Sequence, residues 1–181
     1  TWEGLGYYSR ARNLHATAKY ISRELNGKFP DNYDELLKLK GVGPYTAAAI
    51  ASFAFDEDRA VLDGNVFRVL SRIYDIEIDI LSGEGKKIFT ELANSTMILG
   101  KSGLYNQAIM DFGALLCVPS SPNCMFCPLQ EHCASFSNGT VSERPVKKKA
   151  KAKKTRYLHF LVSIGFDKSY SSSLIIERRS S

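Results

Sequence analysis

No run of 18 apolar residues occurs in the 181-residue chain, so no segment reads as a helix long enough to cross a bilayer. The start, Thr1-Trp2-Glu3-Gly4, has neither an initiator methionine nor a basic-then-apolar leader, and no secretion signal is expected there. Basic excess is missing from most of the sequence as well. Residues 1–145 hold 14 Lys and Arg against 17 Asp and Glu, a net −3, whereas residues 146–181 hold 10 against 2, a net +8. The overall +5 therefore belongs to the tail. Core-forming material is not scarce: 44% of the residues are hydrophobic and 24% charged, the balance of a globular protein and not of a disordered or fibrous one. One domain and part of another are expected at this length. The chain stops at Arg179-Ser180-Ser181, directly after a strand-like apolar run, and is expected to be a piece of a longer fold.

Up to Leu116 the periodicity is helical throughout. Leu14, Ala18, Ile21 and Leu25 predict an amphipathic helix from Tyr8 to Leu25, stopped by Asn26-Gly27. Tyr33, Leu36, Leu37 and Leu39 predict a short helix that must end at Gly41. Thr46 to Phe55 is rich in alanine, which favours helix and leaves room for a second backbone to approach. Asp63 stands where an N-cap belongs, ahead of Val66, Val69, Leu70 and Ile73. Two more helices are expected over 86–99 and 104–116. After Ala134 the character changes. Seven of the eleven residues from Val146 to Arg156 are Lys or Arg, a solvated linker or one drawn to polyanions. Tyr157 to Phe166 and Leu174 to Ile176 then read as two strands joined by a turn around 167–173, the opening of an α+β domain. The expected divisions are a helical core (1–116), a cysteine loop (117–134), a basic linker (135–156) and the first strands of a second domain (157–181).

All four cysteines fall within seventeen residues, as Cys117-x6-Cys124-x2-Cys127-x5-Cys133. Four thiolates on a loop punctuated by Pro119, Pro122 and Pro128 can converge on one soft metal centre. Zinc usually takes two Cys-x2-Cys knuckles, and only Cys124 and Cys127 are so spaced, whereas a 4Fe-4S cluster tolerates the wider spacing; both metals stay open on spacing alone. A second signal is Gly41-Val42-Gly43-Pro44-Tyr45-Thr46, between two helices: its glycines let the backbone approach a phosphate, and the N–H groups opening the next helix point at an anion. A tight inter-helix turn would read the same way. The third signal, Asp63-Gly64-Asn65, reads by itself as a plain N-cap before it reads as catalysis, and only the hairpin on one side and the cysteine loop on the other turn that reading around.

In this order the three signals resemble the helix-hairpin-helix DNA glycosylases with a C-terminal iron-sulfur loop, specifically the A/G-mismatch adenine DNA glycosylases, the MutY family. Trp2-x-Gly4-Leu5-Gly6-Tyr7-Tyr8-Ser9-Arg10 through Leu14 resembles the opening of the family's signature helix, Gly41 to Ala47 its hairpin and Leu62 to Val69 its aspartate motif. Tyr105 to Ala108 and Asp111 to Ala114 resemble the helix that precedes the cluster. The cysteine spacing is shared with endonuclease III, but Tyr45 stands where those lyases carry the Schiff-base lysine, and a phenol cannot do that chemistry.

The resemblance implies an all-α helix-hairpin-helix core with a C-terminal cluster loop, followed by the start of an α+β Nudix-like domain. It implies hydrolysis of the N-glycosidic bond of adenine paired with 8-oxoguanine or guanine, by a monomer acting on double-stranded DNA, with no membrane partner. Asp63 would stabilise the sugar cation, with Asn65 and Tyr45 positioning groups around it. Gly41, Val42, Gly43 and Thr46 would grip the backbone, and Tyr7 would wedge into the duplex unless it is an ordinary aromatic contact. Cys117, Cys124, Cys127 and Cys133 would hold a 4Fe-4S cluster. The expected location is the bacterial cytoplasm at the nucleoid, or a nucleus. Two departures stand out: the family's general-acid glutamate lies upstream of Trp2 in the family pattern, and the loop between Cys117 and Cys124 carries no Lys or Arg. As given, the chain is therefore expected to bind DNA without excising adenine. A non-catalytic DNA-binding module and an endonuclease III-type lyase are the competing readings.

Overall fold

The computed structural model describes residues 2–148, 160–166 and 172–178, and the chain divides into two compact units, Thr1–Lys148 and Lys149–Ser181. In the described part of the first unit the helices are α1 (Tyr8–Glu24), α2 (Tyr33–Leu36), α3 (Pro44–Phe55), α4 (Gly64–Ile73), α5 (Gly83–Thr96), α6 (Ser102–Leu115) and α7 (Ala134–Ser137). Single turns of 3-10 helix lie at Cys124–Phe126, Gln130–His132 and Val141–Glu143.

Local chemistry explains the helix boundaries. Asn32 caps α2 through its side chain, which accepts from the Glu35 N–H at 3.0 Å. Ser82 does the same for α5 through Gly85 at 2.8 Å, and Asp63 for α4 through Val66 at 2.8 Å. Pro44 sits in the first turn of α3, where its missing N–H costs nothing. The predicted stop after α1 is realised by Asn26 and Gly27, both at positive φ.

Two apolar clusters hold these helices. Leu36, Leu39, Ala47 and Ala51 bind α2 to α3, while Val66, Leu70, Ile80, Phe89 and Ala93 bind α4 to α5. Phe67 meets Phe89 edge-on at 5.2 Å. The small-residue face of α3 is used as its composition predicts: Ala47, Ala48 and Ala51 are buried, and a Cβ added to Gly103 of α6 would stand 3.0 Å from the Ser52 carbonyl oxygen. One expected face is only partly covered, by the packing of Ile21 against the α2–α3 cluster. Leu14 of α1 is 62% exposed, and the only buried residue of α1 is Thr17, whose hydroxyl donates to the Lys40 carbonyl at 2.9 Å. Helix α1 thus braces the hairpin through polar contacts more than it fills a core.

In the second unit, β1 (Phe160–Phe166) and β2 (Ser172–Arg178) pair antiparallel, from Phe160 opposite Arg178 to Phe166 opposite Ser172. The sequence places these strands correctly but makes the second too short. Residues 157–159 of the first expected strand, 167–171 of its turn and 149–156 of the linker lie outside the described residues. No described helix is long and apolar enough to cross a membrane.

Candidate functional site

Both oxygens of the Asp63 carboxylate are engaged. One accepts the Val66 N–H at 2.8 Å as a helix cap, and the other accepts the Asn65 side-chain amide at 3.0 Å. Capping and a further role are thus not alternatives at this residue, since a cap also fixes where the charge points. Asn65 is held in turn by Arg68, whose Nη2 donates to its amide oxygen at 2.9 Å. The same guanidinium donates to the carbonyls of Gly113 at 2.6 Å and Cys117 at 2.7 Å. A continuous line of hydrogen bonds therefore runs from the Asp63 carboxylate to the backbone of the first cysteine. Burial pushes the pKa of Arg68 down from its ordinary value, and the Cys117 and Asp63 charges push it back.

Asn106, fully buried on α6, sets the approach to Asp63. Its amide oxygen accepts the Val61 N–H at 2.9 Å, and its nitrogen donates to the Arg59 carbonyl at 2.8 Å and the Ser52 hydroxyl at 2.9 Å. The connector that ends in Asp63 is thereby tied to both α3 and α6.

The hairpin is shaped for close approach. Gly41 has φ +86, and a Cβ there would stand 2.7 Å from the Asn13 side chain, so glycine is required on two counts. Val42 donates back to the Leu39 carbonyl at 3.1 Å, closing the turn, and Gly43 caps α3 in an extended conformation. The opening N–H groups of α3, at Tyr45 and Thr46, have no partner within the helix at these positions. Tyr45 is 47% exposed and lines a cleft of about 590 Å³ together with Arg59, Leu62, Lys86 and Lys87. Leu62, the neighbour of Asp63, is on that wall; Asp63 itself is not.

Tyr7 caps α1 at φ +45, a left-handed conformation that strains an aromatic residue, with its ring 81% exposed. The strain is not explained by packing.

Cys117, Cys124, Cys127 and Cys133 all line one cavity of about 30 Å³, walled by Arg72, Phe112 and Phe136. Burial pushes the Cys124 and Cys133 thiols up, and the neighbouring cysteines push them further. Such mutual repulsion is what a central cation would relieve. Among the described residues no three Cys, His, Asp or Glu side chains gather closely enough for a single metal ion.

Sequence reasoning singled out the apolar stripe of α4 and passed over the polar residues between. Arg68 and Arg72, four apart and ahead of a cysteine loop, were the available signal for the clamp they form. Asn106 gave no comparable signal.

The helix-hairpin-helix motif matches residues 24–53, from the end of α1 into α3. A thermostable thymine-DNA glycosylase superposes with a TM-score of 0.63 at 31% identity, over 71% of this chain and 59% of that one. A non-covalent endonuclease III–DNA complex does so with a TM-score of 0.63 at 28% identity, over 76% and 62%. The chain belongs to the helix-hairpin-helix DNA glycosylases. Within that class it is a homologue of the adenine DNA glycosylases: that of Buchnera aphidicola subsp. Baizongia pistaciae is 39% identical over 98% of this chain and 49% of its own length. The human one is 43% identical over 73% of this chain and 24% of its own length. The chain thus spans about half the length, or less, of these curated relatives.

Proposed function

We propose that this chain supplies the hairpin, the sugar-facing carboxylate and the cluster loop of an adenine DNA glycosylase in base-excision repair. Its substrate is double-stranded DNA with adenine opposite 8-oxoguanine or guanine, and one monomer acts on one duplex wherever the cell keeps its DNA. The observation that carries the reading is the Asp63 carboxylate, held at the mouth of α4 by Val66 and Asn65. The adenine must leave the stack before its glycosidic bond can be reached. As that bond breaks, the sugar gains oxocarbenium character. A fixed carboxylate beside C1′ stabilises the cation, or bonds to it before water attacks. Asn65 keeps the carboxylate aimed, and Tyr45 lines the adjoining cleft without offering an amine, so the strand is not cut.

Gly41, Val42, Gly43 and Thr46 grip a phosphate through backbone N–H groups. Tyr7 enters the duplex as a wedge, a role that accounts for its strained and exposed position. The strand pair of the second unit opens a Nudix-like domain, reached through the basic linker.

Cys117, Cys124, Cys127 and Cys133 hold a 4Fe-4S cluster. Their fit is supported by the one cavity that all four cysteines line and by the donor chemistry of four cysteine sulfurs, which suits an iron-sulfur centre. When bound, the cluster supplies four iron–sulfur bonds that fix the loop and a one-electron redox centre.

The test is single-turnover adenine release from an adenine:8-oxoguanine duplex by the full-length gene product and its Asp63→Asn form. The variant is expected to keep duplex affinity and lose excision by several orders of magnitude. Near-normal excision overturns the role of Asp63. Binding with no excision by the unsubstituted protein makes it a DNA-binding module, and borohydride trapping of a covalent adduct makes it a lyase.

A further inference from the structure

We propose that Arg72 is a positioning residue that staples the two ends of the cysteine loop to α4 and donates a hydrogen bond to the Cys117 sulfur. Its side chain is 3% exposed and its guanidinium is nearly saturated. Nη1 donates to Cys117 Sγ at 3.4 Å and to the Val118 carbonyl at 2.8 Å, and Nη2 donates to the Pro119 carbonyl at 3.0 Å. Nε is shared between the carbonyls of Val141 at 3.0 Å and Arg144 at 3.2 Å. One side chain thus joins the segment that leads into the loop to the segment that leaves it. The backbone completes the staple, because the Arg72 carbonyl accepts the Cys133 thiol at 3.3 Å. The first and last cysteines are therefore both tied to this residue.

Only a planar fork can reach these acceptors in two directions. A lysine ammonium, with three donors on one atom, could serve one side of the loop but not both. Three residues on, Asp75 holds the same returning segment. It accepts from Ser135 at 3.1 Å, Asn138 at 2.8 Å and Thr140 at 2.6 Å, and forms an ion pair with Arg144, whose Nε lies 2.9 Å away. The last turn of α4 and the residues after it are thus an anchor for the entire loop.

Loading with metal changes the two sulfur contacts unequally. A metal-bound cysteine has no S–H, so the Cys133 donation is lost, whereas the Arg72 donation to Cys117 is retained and strengthened by the thiolate charge. A hydrogen bond to a ligating sulfur withdraws electron density and favours the reduced cluster. This sulfur-directed part rests on the cluster reading above; the staple itself does not.

Arg72→Lys and Arg72→Gln, compared with the unsubstituted protein as purified, test both parts. Amide hydrogen exchange should quicken by about tenfold or more at 117–118 and 141–144, because several charge-assisted bonds are lost. Exchange at residues 36–51 should stay unchanged, which shows that the variants fold. Equal exchange at both loop ends in a folded variant overturns the staple. In the iron-loaded protein, iron release to a chelator should quicken by about 10- to 100-fold. The reduction potential should move negative even in Arg72→Lys, where the charge is kept. An unchanged potential and unchanged Fe–S stretching frequencies overturn the sulfur bond. If the unsubstituted protein holds zinc and no iron, the cluster reading and the redox part both fall, and the exchange comparison still decides the staple.

Discussion

Gly113 of α6 has no side chain because Asn65 of α4 fills that space: a Cβ built on Gly113 would lie 2.7 Å from the Asn65 Cβ. The Gly113 carbonyl also takes the Arg68 Nη2 at 2.6 Å. Helix α6 therefore sets Asn65, and Asn65 sets Asp63. Gly113→Ala is expected to force the two helices apart at a cost of about 1–3 kcal/mol. Displacing Asn65 should also slow adenine excision more than Asn65-remote variants of equal stability do. Thermal melts paired with single-turnover rates check this.

Asn106→Ala removes a fully buried side chain that serves the backbone groups of Val61 and Arg59. Each orphaned group costs about 1–3 kcal/mol, so a loss of about 2–6 kcal/mol is expected in urea denaturation. Asn106→Leu should be no better, because the backbone partners stay unpaired.

Asp75 is held at a pKa of about 2, below the usual 3.8, first by the Asn138 and Thr140 hydrogen bonds, with Ser135 and Arg144 adding to them. A depressed carboxylate pKa means stability that is present above about pH 4 and lost as pH falls toward 2. Amide exchange over 135–144 should therefore quicken across that window in the natural protein. In Asp75→Asn it should already be quick at pH 5 and change little below it.

Tyr7 offers an unusual separation of stability from function. Tyr7→Gly relieves a left-handed backbone that glycine adopts freely, so the melting temperature should hold or rise. Affinity for the mismatched duplex should fall, because the wedge is gone. A fall in stability with unchanged affinity would mark Tyr7 as an ordinary packing residue.

The seven Lys and Arg residues from Lys147 to Arg156 should dominate the salt dependence of DNA binding. If about five neutralise phosphates, log K should fall against log salt with a slope of roughly −4 to −5. A chain ending at Pro145 should give a flatter line, and an unchanged slope would assign the contacts to the helical unit instead.

Most helices were legible because their ends are written in local chemistry: Asp63 and Asn26-Gly27 sit where a helix begins or ends, whereas the Ser82 cap starts α5 at Gly83, three residues ahead of the expected start at Lys86. That the four cysteines converge on one cavity was legible from their spacing. The polar clamps were not, because Arg68, Arg72 and Asn106 act largely on distant backbone carbonyls and amides, which have no residue identity to read, and Asp75 gathers side chains that lie about 60 residues or more further along the chain. The exposed stripe of α1 misled for the complementary reason. Periodicity says which face of a helix is apolar and nothing about what covers it.

Helix α4 is ten residues long, and both of its ends are committed: Asp63 at one, Arg72 and Asp75 at the other. Each residue of an α-helix turns the chain by about 100°. Inserting or deleting one residue between them would leave the helix intact yet swing one end away from its partners, unhooking either the carboxylate or the cysteine loop. The spacing from Asp63 to Arg72 is thus fixed by rotation, not by sequence content, and any working variant of this protein must conserve that count even where it changes every apolar residue in between.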